Sequence, residues 1–182
     1  MKFIHTSINN LYVIEPNVFG DSRGWFSEAY NKSVFAKNNI NIEFVQDNHS
    51  YSAQKGVLRG LHFQNDPFAQ TKLVRCTKGK IWDVAVDLRK SSPTYLKWFG
   101  LELSAENHKM LLVPQGFAHG FLTLEDNTEV QYKVDNIYDK PSDRSIKYND
   151  PQIGVQWPVI DVILSDKDLN APLLKDSDVN FL

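Results

Sequence analysis

The sequence predicts an all-β domain, a sandwich or barrel. Three observations carry that prediction. Apolar residues alternate along the chain instead of recurring at helical spacing, the alternating runs are short, and glycines and prolines separate them. The 182 residues suit a single domain over 1–182, and 42% hydrophobic with 23% charged residues is the balance of a chain that can bury a core.

Taken in order, Leu11–Pro16 alternates as a strand, and Ser33–Asn38 forms a short helix capped by Asn31. Val57–Gln64 is a strand with a glycine inside it. Thr71–Thr77 puts Lys72, Val74 and Cys76 on one side and Leu73 and Arg75 on the other. Lys80–Arg89 places Trp82, Val84, Val86 and Leu88 on one face, with Ile81, Asp83, Ala85 and Asp87 on the other. Lys78-Gly79 between these two strands has the composition of a hairpin turn. Tyr95–Leu103, Lys109–Val113, Gly120–Thr123 and Thr128–Asp135 follow as strands, with one helical turn expected at Ser104–Asn107. From Tyr148 onward the chain is irregular and proline-bearing. The expectation is a β core over about residues 11–147 and a packed cover over 148–182.

Composition narrows the function. Twenty Lys and Arg against 22 Asp and Glu leave a net charge of −2, against a main role in gripping bulk nucleic acid, though a local basic pocket stays possible. The single cysteine, Cys76, cannot form an intrachain disulfide. MKFIHTSINN lacks the apolar run of a signal peptide, and no stretch reaches the length of a membrane span, so the expected location is the cytoplasm. The histidines, His5, His49, His62, His108 and His119, form no H-x-H or H-x-x-x-H pair. Glycine-rich phosphate loops and a G-x-S-x-G elbow are also missing, which leaves proton transfer as the leading enzymatic chemistry.

Arg59 and His62 lie in an apolar strand, where each needs a partner. On alternation alone His62 reads as a satisfied core histidine and Tyr132, with Val130 and Val134, as a core aromatic. Asp168 in SDKD reads as a turn or cap residue. Lys72 is either a ligand group at a barrel mouth or a residue on a misassigned face. Asp83, on a face with Ile81 and Ala85, is a partner for a buried cation.

VLRGLHFQ, KLVRCTKGKIWDVAVDLRKSSPTY, VPQGFAHGFLTL and LSDKD, with FGDSRGWFSE, QDNHS and IKYNDPQIGVQWP, resemble the dTDP-4-dehydrorhamnose 3,5-epimerase family over residues 11 to 172. The resemblance implies a cupin-like β jelly roll (a double-stranded β-helix) with a few short helices. It also implies a homodimer with neither metal nor cofactor, acting on a dTDP-linked 4-keto-6-deoxy sugar on the route to cell-surface rhamnose. By the same resemblance His62 is the base, Asp168 its partner, Lys72 the group that stabilises the enolate oxygen, and Tyr132 the acid on the far side. Arg23, Arg59, His119 and Lys167 correspond to diphosphate contacts. Glu28, Gln46, Asp47 and Asn48 correspond to residues that contact the nucleoside and its sugar or order the loop around them, and Phe19, Phe26 and Tyr138 to the base-binding region. Where relatives often carry a glutamate contacting the nucleotide this chain has Asp143, one methylene shorter, which leaves that contact open. A single-centre epimerase of a related sugar, a non-catalytic sugar-nucleotide-binding module and a metal-dependent cupin are the alternatives.

Strict alternation sets Arg59 and His62 on opposite faces of one strand, although the resemblance uses both in one site. Either Gly60 marks a bulge that re-aims them or Arg59 serves the other subunit.

Overall fold

The computed structural model describes residues 1–159 and 161–182. Thirteen strands carry the fold: β1 (Lys2–His5), β2 (Tyr12–Glu15), β3 (Val18–Asp21), β4 (Gly24–Ser27), β5 (Gln46–Ser52), β6 (Leu58–Gln64), β7 (Lys72–Lys78), β8 (Lys80–Asp87), β9 (Trp98–Ser104), β10 (Met110–Val113), β11 (Phe117–Thr123), β12 (Thr128–Val134) and β13 (Asp143–Ser145). Two short α-helices, α1 (Lys32–Lys37) and α2 (Asp166–Leu169), and 3-10 turns at Lys140–Ser142 and Leu174–Asp176 complete it among the described residues. A six-stranded sheet in the order β1-β2-β10-β7-β12-β5 faces a five-stranded sheet, β13-β6-β11-β8-β9, and β3 and β4 form a separate hairpin. The result is the cupin-like jelly roll, with antiparallel pairing between the named strands.

Alternation along β7 and β8 sends one face of each strand inward. Val74 and Cys76 from β7 meet Ile81 and Ala85 from β8, with Leu111, Phe121 and Val130, in a core between the sheets. The opposite faces are also covered. Leu73, Met110 and Leu112 pack under Phe35 of α1. Leu61, Val84, Val86 and Ala118 pack under Ile153, Leu174 and Phe181 from the C-terminal segment. That second covering is why β8 is apolar on both faces, a pattern more usual in buried parallel strands.

Several elements differ from their sequence expectation. Lys78-Gly79 is not a hairpin: β7 pairs with β10 and β12, while β8 pairs with β9 and β11. One residue cannot reverse an antiparallel pair. Gly79, at φ +72°, instead turns a corner that carries the chain from one sheet to the other. The strand expected from Tyr95 begins at Trp98, because hydrogen-bonded turns occupy residues 92–97. Ser104–Asn107 is not helical but a turn closed by Asn107 N donating to Ser104 Oγ and Ser104 N donating to Asn107 Oδ1. The α1 helix starts as its cap dictates, with Asn31 accepting from the N–H groups of Ser33 and Val34.

Gly60 does mark a bulge. Arg59 pairs with Phe121 and His62 with His119, so three steps along β6 match two along β11. Gly60 has φ +138°, and a Cβ there would lie 2.5 Å from the Cα of Gly120. The extra residue turns Arg59 and His62 onto the same face of the strand.

Candidate active site

The interior layer is not apolar throughout. Where Lys72, His119 and Tyr132 take inward positions, the sheets enclose a polar cavity of about 300 Å³, lined by Arg59, His62, Phe121 and Asp168 as well. A second lobe of about 350 Å³ shares His62, Lys72, Tyr132 and Lys167 with the first and opens past Gln46, Asn48, Tyr138 and Asp143.

Two histidine–aspartate pairs sit side by side, because His62 and His119 are direct cross-strand partners. His62 Nε2 bonds Asp168 Oδ1. The SDKD segment makes α2, with Ser165 as N-cap: its Oγ accepts from Asp168 N at 3.2 Å and donates to Asp168 Oδ2 at 2.8 Å. Burial works to raise the Asp168 carboxyl, but His62, Ser165 and the Gly60 N–H outweigh it and hold it below the usual carboxylate range. With Nε2 engaged, Nδ1 is the ring nitrogen of His62 without a hydrogen bond among the described residues. Deeper in, His119 Nε2 lies 2.8 Å from Asp83 Oδ1. Asp83 therefore partners an imidazole, with Lys72 in its field, and its Oδ2 is buried with no hydrogen bond among the described residues.

Lys72 Nζ lies 6.0 Å from the centroid of the Tyr132 ring. Burial pulls the Lys72 ammonium down to about 8, opposed in part by the carboxylates of Asp83 and Asp143. Burial also raises the Tyr132 phenol, Asp143 adds to that rise, and Arg59 works against it. The Arg59 guanidinium is held at the edge of the cavity by the Tyr51 carbonyl, 3.1 Å from Nη2.

The remaining expected site residues divide by element. Gln46 and Asn48 alternate inward along β5, with Gln46 Nε2 donating to Asn48 Oδ1 at 2.8 Å. Asp47 lies between them and faces the other way, bonded to Lys133 Nζ at 2.8 Å, so it is outside the cavity. Glu28 lines a crevice with Asp47 on the outer face of the six-stranded sheet and accepts from Asn31 Nδ2 at 3.0 Å. Phe19, Arg23 and Phe26 are carried away from the cavity by the β3–β4 hairpin, whose two strands pair only with each other among the described residues, and Arg23 bonds Asp21. His119, Tyr138, Asp143 and Lys167 all line the cavity. Ser50, Phe121 and Ser165 line it too, unforeseen. Period-two spacing from Gln46 and Asn48 points to Ser50, and the S-x-x-D pattern before α2 points to Ser165. Among the described residues, no three His, Cys, Asp or Glu side chains converge as metal ligands.

A family model described as dTDP-4-dehydrorhamnose 3,5-epimerase matches residues 5–176. The chain is 52% identical over 179 residues to the dTDP-4-dehydrorhamnose 3,5-epimerase of Shigella flexneri, covering 98% of each chain. Among solved structures it is similar to the Bacillus anthracis dTDP-4-dehydrorhamnose 3,5-epimerase with TDP and PPi bound. There the identity is 53% and the TM-score 0.93, over 95% of this chain and 99% of that one. It is also similar to the Legionella pneumophila dTDP-6-deoxy-D-glucose-3,5-epimerase in complex with dTDP-4-keto-L-rhamnose, at 45% identity and TM-score 0.93, over 97% of this chain and 94% of that one.

Proposed function

We infer that this chain, which belongs to the dTDP-4-dehydrorhamnose 3,5-epimerase family, converts dTDP-4-dehydro-6-deoxy-D-glucose to dTDP-4-dehydro-L-rhamnose. The observation that carries the reading is that a histidine–aspartate pair, a half-buried lysine and a phenol face one cavity. The C4 ketone acidifies the protons at C3 and C5, since loss of either gives an enolate. His62 Nδ1 takes the proton, and the Asp168 carboxylate stabilises the imidazolium that forms. The Lys72 ammonium meets the charge developing on the C4 oxygen. Tyr132 returns a proton to the opposite face of the carbon, inverting it; His62 then gives its proton to solvent, Tyr132 takes one back from solvent, and the cycle repeats at the second centre. Burial suits Tyr132 to this role by keeping its phenol protonated. The balance closes without an oxidant or reductant.

Arg59, His119 and Lys167 receive the diphosphate. Gln46 and Asn48 contact the nucleoside, and Tyr138 stacks on the thymine. The working unit in this reading is a cytoplasmic homodimer. Phe19 is 63%, Trp25 63% and Phe26 69% exposed on a hairpin that pairs with no other strand among the described residues, and a second copy is the occupant that would cover them. Each hairpin would bring Arg23, Phe19 and Phe26, with Glu28 behind them, to its partner's cavity.

The test is NMR of the sugar nucleotide incubated with the enzyme in D₂O. Deuterium at both C3 and C5, with the inverted product trapped by a reductase, is the expected result. Exchange at one carbon would make it a single-centre epimerase, and no exchange would overturn the catalytic reading.

A further inference from the structure

Asp143 is the only carboxylate among the described residues that line the outer lobe, on the path a diphosphate would take. The two deeper aspartates, Asp168 and Asp83, are each bonded to an imidazole. Asp143 is bonded differently. Its Oδ2 accepts from Lys167 Nζ at 2.6 Å and from Tyr138 OH at 3.2 Å. One oxygen thus ties β13 to α2 and to the connection after β12, across the mouth of the cavity. The side chain of Lys167 is 48% exposed, so the pair is accessible to an incoming anion. A carboxylate whose donors are both supplied by the protein has nothing to offer a diphosphate but repulsion.

We propose that Asp143 is a positioning residue, a latch that holds Lys167 at the mouth of the cavity and gives it up to the diphosphate of the substrate. The proposal rests on the reading that Lys167 meets that diphosphate. Binding then exchanges one anionic partner of Lys167 for another, and the cost of breaking the Asp143–Lys167 pair is subtracted from the affinity.

The test is a double-mutant cycle read by calorimetric titration with dTDP, using wild type, Asp143→Asn, Lys167→Met and the double variant, each checked for folding by its melting curve. The expected result is that Asp143→Asn tightens dTDP binding roughly two- to fivefold, the range of a half-exposed ion pair, and that this gain disappears in the Lys167→Met background. A gain of equal size in both backgrounds would mean bare charge repulsion and overturn the latch. Weaker binding in both backgrounds would mean a direct nucleotide contact and overturn it too. If Lys167→Met binds dTDP as tightly as wild type, the premise about Lys167 fails, a result distinct from failure of the latch alone. Should Asp143→Asn not fold, Asp143→Ser carries the same comparison.

Discussion

Replacing Asp168 with asparagine removes one charge from a carboxylate that receives His62 Nε2, Ser165 Oγ and the Gly60 N–H in a position only 2% exposed. If the amide oxygen faces His62, the imidazolium keeps a hydrogen bond but loses its charge assistance. That difference is roughly 1–2 kcal/mol, or about tenfold in rate. If the amide nitrogen faces His62, Nε2 must accept, the proton moves to Nδ1, and the base is lost. The whole general-base contribution, about 10²–10⁴, then goes with it. The expected result is a fall of roughly 10²-fold or more in deuterium exchange at C3 and C5, followed by NMR at neutral pH, with dTDP affinity changed by less than about twofold. Exchange within about threefold of wild type would refute the role assigned to Asp168, because even loss of charge assistance alone costs more than that.

The same substitution has a stability signature. Because the folded-state pKa of Asp168 is lowered, its contribution is fully present above the unfolded value of about 3.9 and is lost as pH falls through the folded one. The melting-temperature gap between wild type and Asp168→Asn should therefore narrow on acidification below about pH 4.

Tyr132→Phe should reduce net epimerisation more than proton abstraction, seen as deuterium exchange that outpaces formation of the inverted product; full epimerase activity would remove Tyr132 from its role. Lys72 is pulled from 10.5 to about 8 by burial, so its charge costs the fold up to roughly 3 kcal/mol at neutral pH. Lys72→Met should abolish turnover yet raise the melting temperature, fully below about pH 8 and with a gain that fades as pH rises toward the unfolded value of about 10.4. Phe26→Asp on the exposed hairpin should convert a dimer to monomers in light scattering and weaken dTDP binding, and a variant that stays dimeric with native affinity would sink the shared-site reading.

Period-two alternation made much of the core readable from residues alone. It assigned Val74 and Cys76 to one side of β7 and Leu73 to the other, and the structure buries them in separate clusters on those sides. Gly60 announced the bulge, since no other residue tolerates its φ of +138° so close to Gly120. Asn31 announced α1 through its cap bonds. These are local signals, and local physics produces them.

What tertiary structure decided is which strands are neighbours. Alternation says which way a side chain points but not what it points at, so Lys78-Gly79 looked like a hairpin and is a corner between sheets. β5, polar along most of its length, is a strand only because β12 supplies its hydrogen bonds. Asp168 reads locally as a cap, and it does help cap α2. It becomes the partner of His62, 106 residues away, because α2 packs on β6. Asp47 and Glu28 carry the right chemistry but sit on the outer face, and the hairpin takes Phe19, Arg23 and Phe26 away from the cavity. Long-range pairing and the direction in which a strand leaves its sheet are properties of the packed whole, and no window of sequence contains them.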